Sequence, residues 1–98
     1  MINFPNPFTD QTTFSFNSIS DAGDLNVKLL IFDLAGMLVT SIESRFPASD
    51  QGVLTIPWNG TGSNGQRLSA GLYVYRLNVT GENGAVFNAS QKLVIGDL

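Results

Sequence analysis

The chain has neither cysteine nor histidine. Without cysteine there is no disulfide framework and no thiolate nucleophile or metal ligand. Without histidine the commonest general base and the commonest zinc ligand are missing, and with them every Ser-His or Cys-His arrangement. Charge is also scarce: five Lys and Arg against eight Asp and Glu give a net charge of −3 over 98 residues. No basic cluster exists, so nucleic acid is not an expected partner. No apolar run approaches the ~20 residues of a membrane span. The longest, Val27 to Leu34, is broken by Lys28 and Asp33 and has the length of a strand. No signal peptide is read at the start, so an exported form would take its signal from a longer parent chain or be the signal itself.

What the chain does have is alternation and turn residues, in an amount suited to one domain spanning residues 1–98. Trp58 closes one strand, the loop Asn59-Gly60-Thr61-Gly62-Ser63-Asn64-Gly65 turns the chain, and Gly71 to Val79 runs back. Side chains of a strand point to opposite faces in turn. Tyr73, Tyr75, Leu77 and Val79 therefore share a core face, and Leu72, Val74, Arg76 and Asn78 share the other. The glycine loop lacks an apolar anchor and belongs at the surface.

In chain order, Phe4-Pro5-Asn6-Pro7-Phe8 excludes helix and central strand because proline has no amide donor. It reads as a short edge segment anchored by Phe4 and Phe8. Thr12 to Phe16 alternates with Phe14 and Phe16 inward. Leu25 to Leu34 is apolar on both sides, which predicts a strand covered on both faces. Asp33-Leu34-Ala35-Gly36 is a tight turn with Gly36 at positive φ. Met37 to Phe46 returns as the second arm of a hairpin. Helix is the weaker reading of Asp33 to Glu43, because Val39, Thr40 and Ile42 are β-branched. Val53 to Trp58 turns Leu54, Ile56 and Trp58 inward and carries Pro57, so it is an edge or a strand end. Asn83-Gly84 between two alternating runs is a strong hairpin signal. Ala85 to Ile95 follows, with Phe87, Ala89, Leu93 and Ile95 on one face. The expected fold is all-β: an antiparallel β-sandwich of about seven strands.

Few residues invite chemistry. The carboxylates Asp10, Asp21, Asp24, Asp33, Glu43, Asp50, Glu82 and Asp97 fall mostly in turns, where aspartate bonds the backbone, and no spacing singles out a pair. The loop Asn59 to Gly65 has no carboxylate for Ca²⁺ and no following helix or lysine for phosphate. No catalytic residue, metal or cofactor is expected, and the isolated domain is expected to be a monomer or weak dimer. Trp58, Tyr73 and Tyr75 read as core plugs, the alternative being a sugar-binding platform centred on Tyr75. Lys92-Leu93-Val94-Ile95 is either an edge strand whose lysine blunts aggregation or a recognition strand open to strand addition.

Four elements occur in one order: Phe4-Pro5-Asn6-Pro7-Phe8 with Thr12-Thr13-Phe14; Ile31-Phe32-Asp33-Leu34-Ala35-Gly36-Met37-Leu38-Val39; Trp58-Asn59-Gly60 with Gly65; and Gly71-Leu72-Tyr73-Val74-Tyr75-Arg76-Leu77 with Lys92-Leu93-Val94-Ile95. The set resembles the C-terminal sorting domains of proteins exported by the type IX secretion system of Bacteroidetes. It is also similar to the immunoglobulin-like domain of flagellar hook-capping proteins. The ending Ser90 to Ile95 is similar to that of C25-type sortase peptidases. The resemblance implies an immunoglobulin-like β-sandwich at the end of a large exported protein, a non-catalytic domain that directs the cargo across the outer membrane to the cell surface or the medium. Implied partners are the translocon, an outer-membrane shuttle and a sortase. The family's terminal motif maps onto Lys92, Leu93, Val94 and Ile95, and its Gly-x-Tyr motif onto Gly71 and Tyr73, which makes these the implied partner-binding residues. Asn59 departs from the family, whose members often carry Asp after the Trp. The alternatives to sorting are a structural module, of the hook-capping type or a spacer beside a catalytic domain, and a carbohydrate-binding module.

Overall fold

A computed structural model describes residues 1–96; Asp97 lies outside the described residues. Seven strands follow in order: β1 (Ile2–Phe4), β2 (Thr12–Asn17), β3 (Leu25–Phe32), β4 (Leu38–Phe46), β5 (Val53–Trp58), β6 (Gly71–Gly81) and β7 (Val86–Ile95). They form two sheets, one of three strands in the order β1-β2-β5 and one of four in the order β4-β3-β6-β7. Every strand pairing is antiparallel, and no helix occurs among the described residues. The fold is an immunoglobulin-like β-sandwich.

The core lies between the sheets and follows the alternation. Phe14 and Phe16 of β2, Leu54, Ile56 and Trp58 of β5, Val27, Leu29 and Ile31 of β3, and Tyr73 to Val79 of β6 all bury their inward positions. Aromatic edges fasten one sheet to the other. The Phe14 and Tyr75 rings meet edge to face at 4.7 Å, and Phe16 meets Phe46 in the same way at 5.7 Å. Such pairs contribute about 0.5–1.5 kcal/mol beyond their area burial.

The hairpins form as their turn residues require. Gly36 takes φ +85° between β3 and β4, and Asp33 Oδ1 accepts the amides of Ala35 and Met37. Between β6 and β7, Asn83 Oδ1 accepts the amide of Ala85 and Gly84 takes φ +89°. Residues 33–43 are thus turn and strand, not helix. The glycine loop is at the surface as a small hairpin, with Thr61 bridged to Arg67. It does gain an anchor at its far end, where Leu68 packs on the core.

Four expectations are corrected. Phe4 anchors nothing: it is 74% exposed, because the buried position of β1 is Asn3. Asn3 Nδ2 donates to Thr12 Oγ1, which in turn donates to Pro5 O. Phe8 alone is the anchor, packed against Trp58. β3 is covered on one face only; it ends at Phe32, and Leu34 stands in solvent in the turn. Phe87 has the orientation expected from its pairing with Val79, yet it is 42% exposed. The three-stranded sheet does not cover that end of β7, so the alternation identifies a face with no layer over it. The fourth correction, to the openness of the last strand's edge, belongs with the site.

Candidate functional site

The two motifs that sequence separates become adjacent rungs of one ladder. Across β6 and β7, Gly71 pairs with Ile95, Leu72 with Val94, Tyr73 with Leu93 and Val74 with Lys92. The register divides the terminal motif between two faces. Leu93 and Ile95 are fully buried, while Lys92 is exposed and Val94 half-buried on the outer face. Two of the four residues thus hold the sandwich together, and the other two are presented outward.

Gly71 and Tyr73 also have structural duties. Gly71 sits at φ +151°, a backbone conformation that a Cβ disfavours, although a Cβ there would meet no atom within 4 Å. The backbone angle, and not crowding, therefore calls for glycine. Tyr73 buries its ring beside Leu93, and its hydroxyl donates to Ser69 O at 2.7 Å, closing the loop that leads into β6. Burial, and secondarily the charge of Asp33, raise the Tyr73 pKa; burial alone raises that of Tyr75. Trp58 is buried with its indole N–H donating to Thr61 O at 3.1 Å. All three rings point into the core, so no aromatic platform for sugar exists at these positions.

β7 lies at the edge of its sheet, but the half carrying Lys92 to Ile95 is closed by the chain itself. Asn6 Oδ1 accepts the amide of Val94 at 2.9 Å, and Asn6 Nδ2 donates to Lys92 O at 3.3 Å. Phe8 continues the seal, its amide donating to Val94 O at 3.1 Å and its carbonyl accepting from Gly96 N at 2.7 Å. Proline at positions 5 and 7 leaves this segment few amides of its own. The Asn6 side-chain amide supplies both a donor and an acceptor in their place. Strand addition at Lys92–Ile95, expected from an edge strand, is thus excluded while this clasp is closed. The clasp leaves the outer face as the open side of the motif.

That face includes residues the motifs did not mark. Opposite Lys92 stands Val74, opposite Val74 stands Phe32, and opposite Phe32 stands Leu38. The Arg76 guanidinium lies 5.6 Å from the Phe32 ring centroid. A shallow cleft lined by Phe32, Leu34, Val74 and Arg76 runs along the β3–β4 turn. The alternation of Leu72, Val74 and Arg76 was readable in the sequence; their alignment with Phe32 and Lys92 depended on register, which was not.

An immunoglobulin-like sandwich is the class that this geometry defines. The chain belongs to the FlgD Ig-like domain family, whose profile matches residues 4–85. Among solved structures, it is similar to dimeric latent PorU from Porphyromonas gingivalis, with 30% identity and a TM-score of 0.85 over 99% of this chain. It is similar also to FlgD from Xanthomonas campestris, a hook-capping protein of the flagellum, with 27% identity and a TM-score of 0.65 over 91% of this chain. FlgD from P. aeruginosa, at 22% identity and a TM-score of 0.63 over 87% of this chain, shares the fold. The chain spans only 9% of PorU and about three-fifths of the FlgD chains (61% and 62%). No curated protein matches it.

Proposed function

We propose that this domain is a non-catalytic C-terminal sorting domain. It directs a bacterial cargo through the type IX secretion system, across the periplasm and outer membrane to the cell surface or the medium. Its partners in this reading are the translocon, the outer-membrane shuttle and a sortase. The observation that carries the reading is the pairing of Gly71-Leu72-Tyr73 with Val94 and its neighbours in β7. Residues of both motifs then share one stretch of ladder, with Tyr73, Leu93 and Ile95 facing the core and Leu72, Val94 and Lys92 presented on the outer face. The similarity to PorU, a protein related to type IX secretion, supports the same reading.

The test is a reporter with an ordinary inner-membrane signal, expressed with and without the domain fused behind it in a bacterium that has a type IX system. The proposal expects the fused reporter at the surface or in the medium, and both versions in the periplasm when the translocon is deleted. Retention of the fused reporter in the periplasm of the intact strain would refute it. A second reading, a structural module of the hook-capping kind, draws on the likeness to FlgD. It expects that retention.

A further inference from the structure

The outer face of the four-stranded sheet is unequal from end to end. At the end holding the β3–β4 turn, the cross-strand row Leu38, Phe32, Val74 is apolar, and Leu72 and Val94 form the next row. Leu38 is 53% exposed, and Leu34 and Met37 project from the turn beside it. At the opposite end the outward residues are mostly polar, Asn26, Lys28, Asn78, Thr80 and Asn88, with Val86 the apolar exception. Scattered exposed apolar residues need no explanation, but a contiguous patch rimmed by charge marks an interaction site.

Charge separates the two ends further. Of the five cations in the chain, Lys28 pairs with Glu43 and Arg45 with Asp24, both at the polar end. Arg67 turns to the carbonyl of Asn59 in the glycine loop. Lys92 ends the row of Leu38, Phe32 and Val74, Arg76 stands on the neighbouring rung, and neither pairs with a carboxylate among the described residues. The carboxylate bordering the patch, Asp33, is held in its turn by two backbone amides. In a chain of net charge −3, the two cations on this face without carboxylate partners stand at diagonal positions on neighbouring rungs of β6 and β7 and border the apolar surface there.

We infer that this patch, with Phe32 and Val74 at its centre and Arg76 and Lys92 at its rim, docks a protein segment whose apolar residues are bordered by carboxylates. Complementary charge at the rim orients such a partner, while the apolar centre supplies the buried contact. A second copy of the chain fits poorly, because two such faces brought together oppose their like charges. An anionic membrane also fits poorly: two cations on a net-negative domain give little attraction to an anionic surface, which polybasic clusters bind. The inference rests on the sorting reading for why the domain would carry a docking face, but its test does not involve export.

The test uses the whole chain and three peptides of one apolar pattern, Leu, Val and Phe alternating with a second residue that is Glu, Ser or Lys. Affinity is measured by titration, and the contact is mapped by amide chemical shifts. The Glu peptide is expected to bind about tenfold tighter than the Ser peptide, and the Lys peptide more weakly still. Shifts should fall on Phe32, Val74 and Lys92. The double variant Arg76→Glu/Lys92→Glu should reverse the order. Arg76→Gln/Lys92→Gln, milder for the fold, should abolish the difference between the Glu and Ser peptides. Equal binding of the three peptides, no binding, or shifts confined to the β7 edge at Val86 to Ser90 would overturn the inference. So would binding to phosphatidylglycerol vesicles in preference to the Glu peptide, or concentration-dependent dimerisation through the patch. If peptide discrimination holds but the fused reporter is not exported, the docking surface stands and the sorting reading falls. If the reporter is exported but the peptides are not discriminated, the reverse is true.

Discussion

Asn6 and Val94 are joined by a hydrogen bond of 2.9 Å across 88 residues of chain. The bond fastens the proline segment to the outer edge of β7, and Asn6 adds a second bond to Lys92 O and a third to Asn3 Oδ1. It turns an edge strand that would invite pairing into a closed one. Truncating Asn6 to alanine removes all three bonds, at a net cost of about 0.5–1.5 kcal/mol each where they are fully formed. The expected result is a modest fall in the unfolding midpoint. Hydrogen exchange at the Val94 amide should accelerate far more than exchange at Leu77 in the middle of the sheet. Equal acceleration at both amides would mean that Asn6 acts on global stability and is not an edge clasp.

Trp58→Ala should unfold the protein more readily than any surface change. Its ring packs with Phe8 at 5.6 Å and Phe14 at 6.2 Å, so truncation leaves a cavity where three aromatic rings meet. The cost is about 3–5 kcal/mol, a large share of what a domain of this size has. Denaturant unfolding checks it. A midpoint close to the parent's would place the ring outside the core.

Gly71→Ala should cost about 1–3 kcal/mol through backbone strain. No atom lies within 4 Å of the added Cβ. The substitution should therefore lower the unfolding midpoint without displacing neighbouring side chains, which amide shifts of Leu93 and Ile95 would report. An unchanged midpoint would show that φ relaxes freely at this position.

Acid should weaken the fold through Asp24. Its carboxylate accepts from Arg45 at 2.8 Å and from the Ala48 amide at 2.8 Å. The Arg45 hydrogen bond, more than the amide, holds its pKa below the ordinary carboxylate value. The folded state thus favours the charged form. That contribution is fully present above the unfolded value of about 3.9 and is lost as pH falls through the lower folded value. Thermal midpoints should hold steady in mild acid and decline below about pH 4. Asp24→Asn should begin lower and show a shallower decline. Profiles that differ only by a constant offset would remove Asp24 from the acid response.

Most of the fold was legible because its signals are local. Tyr73 to Val79 alternate, Asn83-Gly84 makes a hairpin, and Pro57 lies on an edge strand. Coverage was not legible. Alternation assigns Phe87 and Leu30 to faces, but only the position of the other sheet decides whether a face is covered. The Asn6 clasp was hidden for a related reason: it joins distant parts of the chain, and its one sequence trace is an asparagine held between two prolines. At the site, the motifs located Lys92 and Gly71. The neighbours that complete the surface, Phe32, Val74 and Arg76, required the register of three strands.

The division of the terminal motif between core and surface is the central claim, and export of point variants tests it most directly. Lys92→Ala and Leu93→Ala are compared in the reporter fusion, with the unfolding midpoint of each measured in parallel. Leu93→Ala empties a fully buried position and should lose about 2–5 kcal/mol, with export falling because the fold fails. Lys92→Ala should keep its stability within about 0.5 kcal/mol of the parent and still be exported less well. Export of Lys92→Ala equal to the parent at equal stability would contradict the account.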